Sequence, residues 1–388
     1  INMKWTVSVF SWIMIALLSL VAHPAFAQSE VHKKAIQTIE TGDKSSKRED
    51  GKLGIAELME HHRVSGISIA VFDNFEIVWT RAYGMARTKE EVKVTETTTF
   101  QAGSISKPVS AMAALIAVEQ GKFSLDVPIN TLLTSWKLPE NKFTAIRPVT
   151  PRMLLSHTGG TTVHGFGGYR PDSAIPELPD VLNGTGTANS KAVIVDIEPF
   201  TKWRYSGGGT TVMQLAMEDI HGEAFEDILA RSVLEPCGMT NSTFVQPMEI
   251  SDAPDAAFAH GGKAKTPWHI YPEQAAAGLW TTPTDLARFA ITVQKILRGD
   301  AGGLLSREMA QAMVTPTAAG GDYGLGFSES GKGLYFGHGG SDWGFVCGLL
   351  AHKTKGYGVV VMTNGQAGGE ISSELGLRVA EVYEWDRN

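Results

Sequence analysis

Cysteine is nearly missing from this 388-residue chain, in which Cys237 and Cys347 are the only two. Two cysteines make no disulfide framework, so the fold must hold by its core, and both read as packed thiols rather than a bridge. Dense positive charge is missing too. The formal net charge is -7 and no Lys/Arg cluster offsets it, which excludes nucleic acid and anionic lipid surfaces and leaves a small molecule as the substrate. After residue 27 no apolar run is long enough to span a bilayer, so no stable membrane partner is expected. No serine lies in Gly-x-Ser-x-Gly and no His-Glu-x-x-His occurs, which argues against an α/β-hydrolase elbow and a zinc protease. Gly326 to Lys332 spells most of a phosphate-binding loop, but Gly333 stands where Ser or Thr would bind magnesium, so a hairpin loop is the better reading. His61-His62 and His260 read as solvated side chains rather than ligands, and neither a metal nor a cofactor is expected.

What is present begins with an export signal. Lys4 precedes an uncharged, mostly apolar run from Trp5 to Ala22, followed by Ala25-Phe26-Ala27, which predicts a secretory signal over residues 3–27 cut before Gln28. The expectation is a periplasmic or secreted protein. Removing Lys4 with the signal moves the formal charge from -7 to -8. With 42 glycines and 43% hydrophobic residues, the rest can bury a large core.

Alternating apolar residues predict a hairpin from 66–72 and 75–85, and further strands near 323–329, 334–338, 345–353 and 357–363. Helical spacing predicts a helix starting at Ser104, with others near 209–221, 224–234, 284–297 and 371–384. The charged stretch 43–52 reads as a solvated lead-in, with the fold starting near Ile55. The predicted class is α+β, an antiparallel sheet of about five strands flanked by helices and assembled from both chain ends. Residues 28–125 with 270–388 would form that sheet domain, and 126–269 an inserted, mainly helical subdomain.

Three polar elements interrupt this pattern. Ser104-Ile105-Ser106-Lys107 sets a serine and a lysine three residues apart on one helical face, where a neutral lysine amine can take the hydroxyl proton. Arg204-Tyr205-Ser206-Gly207-Gly208-Gly209 is a glycine-rich loop before a helix, presenting a tyrosine able to exchange protons. Phe336-Gly337-His338-Gly339-Gly340-Ser341 is a strand ending in small residues, which can pair with an extended substrate and aim an N–H at its carbonyl oxygen.

In this order and at these separations, the elements resemble the class C β-lactamases, the low-molecular-weight penicillin-binding proteins and the family VIII carboxylesterases. Leu154-Leu155-Ser156-His157-Thr158-Gly159-Gly160, Leu234-Glu235-Pro236-Cys237-Gly238-Met239 and Ala277 to Ala287 resemble stretches of that superfamily as well. The resemblance implies Ser104 as nucleophile, Lys107 as its partner, Tyr205 as general base and acid, and His338-Gly339-Gly340 as the strand triad. It also implies an oxyanion hole from the backbone N–H groups of Ser104 and Ser341. Two positions depart from the pattern. Gly207 replaces the Asn of Tyr-x-Asn, and His338 replaces the Lys of Lys-Thr-Gly, as in some D-aminopeptidases and carboxypeptidases. Gly207, Gly339, Gly340 and Trp343 are expected to contact substrate, and His338 either to orient Tyr205 as a neutral ring, the favoured role, or to anchor a substrate carboxylate when protonated. His164, Phe166, Tyr169, Trp268 and Tyr271 are further candidates for an acyl pocket, although aromatics are more often core. The expected activity is hydrolysis of small esters through an acyl-enzyme. The alternatives are a D-amino-acid amidase or carboxypeptidase, a β-lactamase, and a slowly turning-over penicillin-binding or peptidoglycan-sensing protein. The substrate would accordingly be a small ester, amide or β-lactam.

Overall fold

The computed structural model describes residues 30–248, 250–260, 267–300 and 302–386, so the predicted signal lies outside the described residues. Its strands are β1 (Gly66–Asp73), β2 (Glu76–Arg87), β3 (Val92–Lys93), β4 (Phe100–Gln101), β5 (Trp280–Thr281), β6 (Ser328–Ser330), β7 (Tyr335–Asp342), β8 (Phe345–His352) and β9 (Gly358–Thr363). The helices that matter below are α1 (Glu30–Thr41), α2 (Ile55–His62), α3 (Ser106–Glu119), α4 (Gly207–His221), α5 (Pro283–Arg298) and α6 (Gly368–Val382).

Seven strands form an antiparallel sheet in the order β3-β2-β1-β9-β8-β7-β6, so the first long strand lies against the last, with Ile67 opposite Thr363. The five long strands match the expected sheet, and β3 and β6 add short edges. Both faces of the centre are covered, because odd residues of β1 and β9 (Ile67, Ile69, Val71, Val359, Val361) pack with α1, α2 and α6, whereas Ala70, Phe72, Val360 and Met362 join the larger core. That larger core also holds α3, α4 and α5 and residues of 126–269, among them Leu154, Val212 and Phe225.

Local chemistry sets the helix ends. In α5, Thr282 accepts the Asp285 N–H, Pro283 opens the first turn, and Gly299 at φ 96° closes the last. Ser206 caps α4 by accepting the Gly209 N–H.

Three expectations are corrected. The segment 323–329 is mostly a turn: the Gly324 N–H bonds Phe327 O, the Tyr323 hydroxyl bonds Gly326 O, and only Ser328 onward pairs with β7. The helix expected from Ser104 starts at Ser106, after a 3-10 turn over Gly103–Ile105. Finally, residues before Ile55 are structured. Helix α1 buries Ala35, Ile36 and Ile39, and buried Arg378 of α6 donates to the carbonyls of Ile39, Asp50 and Leu53 while pairing with Glu374. Arg48 pairs with the same Glu374, which binds the lead-in to α6.

Candidate active site

The 3-10 turn carrying Ser104 is pinned from three sides. The Ser106 hydroxyl donates to Gly103 O (2.6 Å) and accepts from the Leu279 N–H (3.0 Å), and the Ala102 N–H donates to Leu279 O (2.8 Å). Glycine is required at two points of contact between the turn and β7. Gly103 sits at φ 50°, where a Cβ would come within 2.6 Å of Ser341 N, and a Cβ on Gly340 would overlap the Ala102 carbonyl oxygen. The turn and β7 are thereby in close contact just ahead of Ser104, at Gly103 against Ser341 and Ala102 against Gly340.

Lys107 follows on the first turn of α3 and is almost fully buried. Its Nζ donates to Ser104 Oγ (3.0 Å) and Ala276 O (2.8 Å), and lies 5.0 Å from the centre of the Tyr205 ring. The structure thus joins Ser104, Lys107 and Tyr205. Tyr205 Oη is buried and has no hydrogen-bond partner among the described residues. The buried His157 ring packs 4.3 Å from that of Tyr205, and its Nδ1 accepts the Ser206 N–H (3.2 Å), fixing the loop. Burial first, and then Lys107, hold His157 well below the usual imidazole range.

A cavity of about 730 Å³ opens over these groups, walled by Ser104, Lys107, Tyr205, His164, Phe166, Trp203 and the 338–342 half of β7. Strand β6 pairs only with Tyr335–Gly337, so the other half of β7, with Gly339 and Ser341 exposed, presents an edge beside the nucleophile.

His338 is not where the sequence led us to expect. Its Nε2 lies 2.9 Å from Tyr323 Oη and its Nδ1 2.6 Å from Gly339 O, while its ring centre is 6.1 Å from that of Tyr205. A carbonyl only accepts, so with Nδ1 protonated for Gly339 O the one Tyr323 proton is shared between Nε2 and Gly326 O (2.8 Å). Burial, reinforced by Lys107, pushes its pKa down to about 3. Its Nε2 thus faces Tyr323 rather than Tyr205.

Two expected substrate contacts are also corrected. A side chain at Gly207 would point at His164 O (3.1 Å) and the Phe166 ring (3.2 Å), into the neighbouring loop. Trp343 stacks on His269 (4.4 Å, 4°) and is not part of the cavity wall. Trp268 packs between Phe258 and Trp280, and the Tyr169 and Tyr271 hydroxyls accept the backbone N–H groups of Asn189 and Trp343.

Tyr323, Trp203, Asp342 and Glu273 went unread in the sequence. Tyr323 is fully buried between Tyr205 and His338, and burial holds its hydroxyl well above the usual phenol range. Its one sequence signal is the glycine-flanked setting Gly321-Asp322-Tyr323-Gly324, akin to that of Tyr205. Burial likewise raises the Asp342 carboxyl well above its ordinary range and Glu273 to about 8.

Cys237 and Cys347 are separate buried thiols. No helix among the described residues is long and apolar enough to cross a membrane. Away from the cavity, Asp50, His61 and His62 hold ligand-type atoms within 4.8 Å of one another. His62 is not solvated as expected, since its Nε2 meets Asp50 Oδ2 at 2.7 Å, a hydrogen bond that accounts for the cluster.

Comparison with known proteins places this geometry in a family. The family model described as Beta-lactamase matches residues 54–384. Penicillin-binding protein 4 of Amycolatopsis lactamdurans is 23% identical over 364 residues, covering 84% of this chain and 90% of that one. Esterase EstB of Burkholderia gladioli is 26% identical over 195 residues, 49% of each chain. A class C β-lactamase superimposes with a TM-score of 0.68 at 19% identity, over 93% of this chain and 99% of that one, a likeness of fold. With the family model spanning nearly all the described residues and the fold agreeing along the same length, the chain belongs to the β-lactamase family, whose members are serine hydrolases.

Proposed function

We propose that the chain is an exported hydrolase of small, uncharged esters, acting through an acyl-enzyme on Ser104. The observation that carries this is the state of His338. A lysine at that place would offer a cation to a substrate carboxylate, whereas this imidazole is neutral, buried and occupied by Tyr323 and Gly339 O. Nor does Gly207 supply an amide for an acylamino group. Both features count against β-lactams, and the neutral, occupied state of His338 leaves a substrate carboxylate without a cation to anchor it. An ester needs neither amide nor cation.

In this reading Lys107 acts as the neutral amine, so that Ser104 Oγ attacks the ester carbon as Nζ takes its proton and relays it through Tyr205. The N–H groups of Ser104 and Ser341 take the developing oxyanion. Tyr205 Oη then protonates the departing alcohol, and water, deprotonated by the same pair, cleaves the acyl-enzyme. The partial match to an esterase supports the substrate class, and residues 3–27 support export.

The test is turnover of p-nitrophenyl esters of two to eight carbons, nitrocefin and D-alanyl p-nitroanilide. Ester turnover should dominate. Ser104→Ala should abolish it together with fluorophosphonate labelling, and Lys107→Ala or Tyr205→Phe should each lower kcat by ~10³-fold or more, since such groups act as a unit. Labelling that survives Ser104→Ala, or preference for nitrocefin, refutes the reading. Export is checked separately by whether the mature N-terminus is Gln28.

A further inference from the structure

Beside the nucleophile's cavity lies a second one of about 500 Å³, between the face of the sheet and α6. The two adjoin, sharing His338, Gly339, Gly348, Ser372 and Ser373 in their walls. The space exists because side chains are missing from both sides. Strands β7 and β8 contribute Gly337, Gly339 and Gly348, and α6 contributes Gly376 with the two small serines. Interiors are normally packed to crystal density, so a gap between a sheet and its covering helix calls for an occupant.

We propose that this trough takes the linear alkyl chain of the ester substrate. Its far end is floored by Leu350, Val359 and Val361, Leu377 stands at its exposed lip, and none of its walls carries Asp, Glu, Lys or Arg. A charged tail placed there would lose its water without gaining a partner, whereas each methylene would shed apolar surface. There is room for such a chain, because a Cβ at Gly376 meets nothing nearer than Val359 Cγ1 at 4.0 Å, and one at Gly339 nothing nearer than Cys347 O at 3.9 Å. Gly348 and Ser372 are in contact, since a Cβ on Gly348 would come within 2.7 Å of the serine hydroxyl, so the chain would run beside this pair rather than between its members. This inference rests on the esterase reading and extends it from ester to alkyl ester.

The chain can belong to either half of the ester, and two substrate series tell them apart. One is p-nitrophenyl esters of acids from two to eight carbons, and the other acetates of alcohols from two to eight carbons, followed by acetate release. In one series kcat/KM should climb about two- to fourfold per methylene beyond the fourth carbon, the range expected for partly to fully buried methylenes. Gly376→Leu, which fills the far trough and lies outside the nucleophile's cavity, should flatten that climb while the shortest ester of that series stays within about twofold. Leu377→Glu, a change at an exposed site that poses little risk to folding, should flatten it too by placing a charge at the lip. Flat profiles in both wild-type series, or an unaltered climb in both variants, would overturn the trough while leaving ester hydrolysis standing. No turnover of any ester would instead overturn the esterase reading and the trough with it.

Discussion

At the scale of single residues, His338 decides how the site responds to pH. Held at about 3, it stays neutral across the working range, so kcat/KM for neutral esters should carry no inflection from it between pH 5 and 9. His338→Gln keeps one acceptor for Tyr323 and one donor for Gly339 O. The variant should therefore retain the shape of the wild-type profile and activity within about tenfold. An acidic limb present in wild type and lost in the variant would show that the imidazole titrates after all. Gly207 gives a second residue-level expectation. Asn there would be driven into His164 O and Phe166, so Gly207→Asn should cost ~1–3 kcal/mol of stability by overpacking and bring no gain against nitrocefin. A variant with unchanged Tm and severalfold faster nitrocefin acylation would mean that the side chain faces substrate. Ser104 and Lys107 could be singled out because three-residue spacing puts them on one face and the later motifs follow in the order of the resembled superfamily, and Tyr205 because its glycines mark a loop. Tyr323 was not, because its role comes from β7 folding back over fifteen residues to bring His338 against it.

Among the elements, β7 has the tightest tolerance. Gly340→Ala would force the strand away from the Ala102 carbonyl, separating the Ser104 and Ser341 N–H groups. The expected result is a lower Tm and a fall in ester kcat of at least ~10²-fold, the usual scale for a lost oxyanion contact. Gly339→Ala, with open space around its Cβ, should leave Tm nearly unchanged. Equal Tm values for the two variants would show that β7 can yield. The strands and capped helices were readable because alternation, Thr282-Pro283 and Gly299 act locally. Helix α1 was not, since it buries only three residues and its dock is Arg378 at the other end of the chain. Turn 323–327 misled for a related reason: Gly324 and Gly326 lie against the 307–314 helix and α3, contacts that outweigh strand propensity.

For the whole molecule, burial sets two opposed trends in stability. His157 and His338 are held below their ordinary value of 6.5, so on acidification below that point the unfolded chain binds protons that the fold refuses, and stability falls. Glu218 (about 7), Glu273 (about 8) and Asp342 behave in reverse. Their folded values exceed the unfolded ones, so their contribution is complete below about pH 4 and is lost as pH rises through 7 and 8. Stability should therefore decline from pH 6 to 8. Glu273→Gln should remove up to one proton from that dependence, ~1.4 kcal/mol per pH unit, as read by urea unfolding at several pH values. The same decline in wild type and variant would rule Glu273 out as a source. The sheet's assembly from both chain ends was foreseeable from hairpin strands near the start and several strands near the end, whereas the common core with residues 126–269 depends on packing that no local pattern encodes.

The pairing of β1 with β9 also governs how the molecule comes into being. The hairpin β1–β2 is synthesised early, yet the strand that completes its other edge is made almost last, and the loop between them must close before that pairing yields any stability. A chain still emerging from the ribosome thus has an unfinished central strand and cannot lock its core. It stays open until β9 has been made.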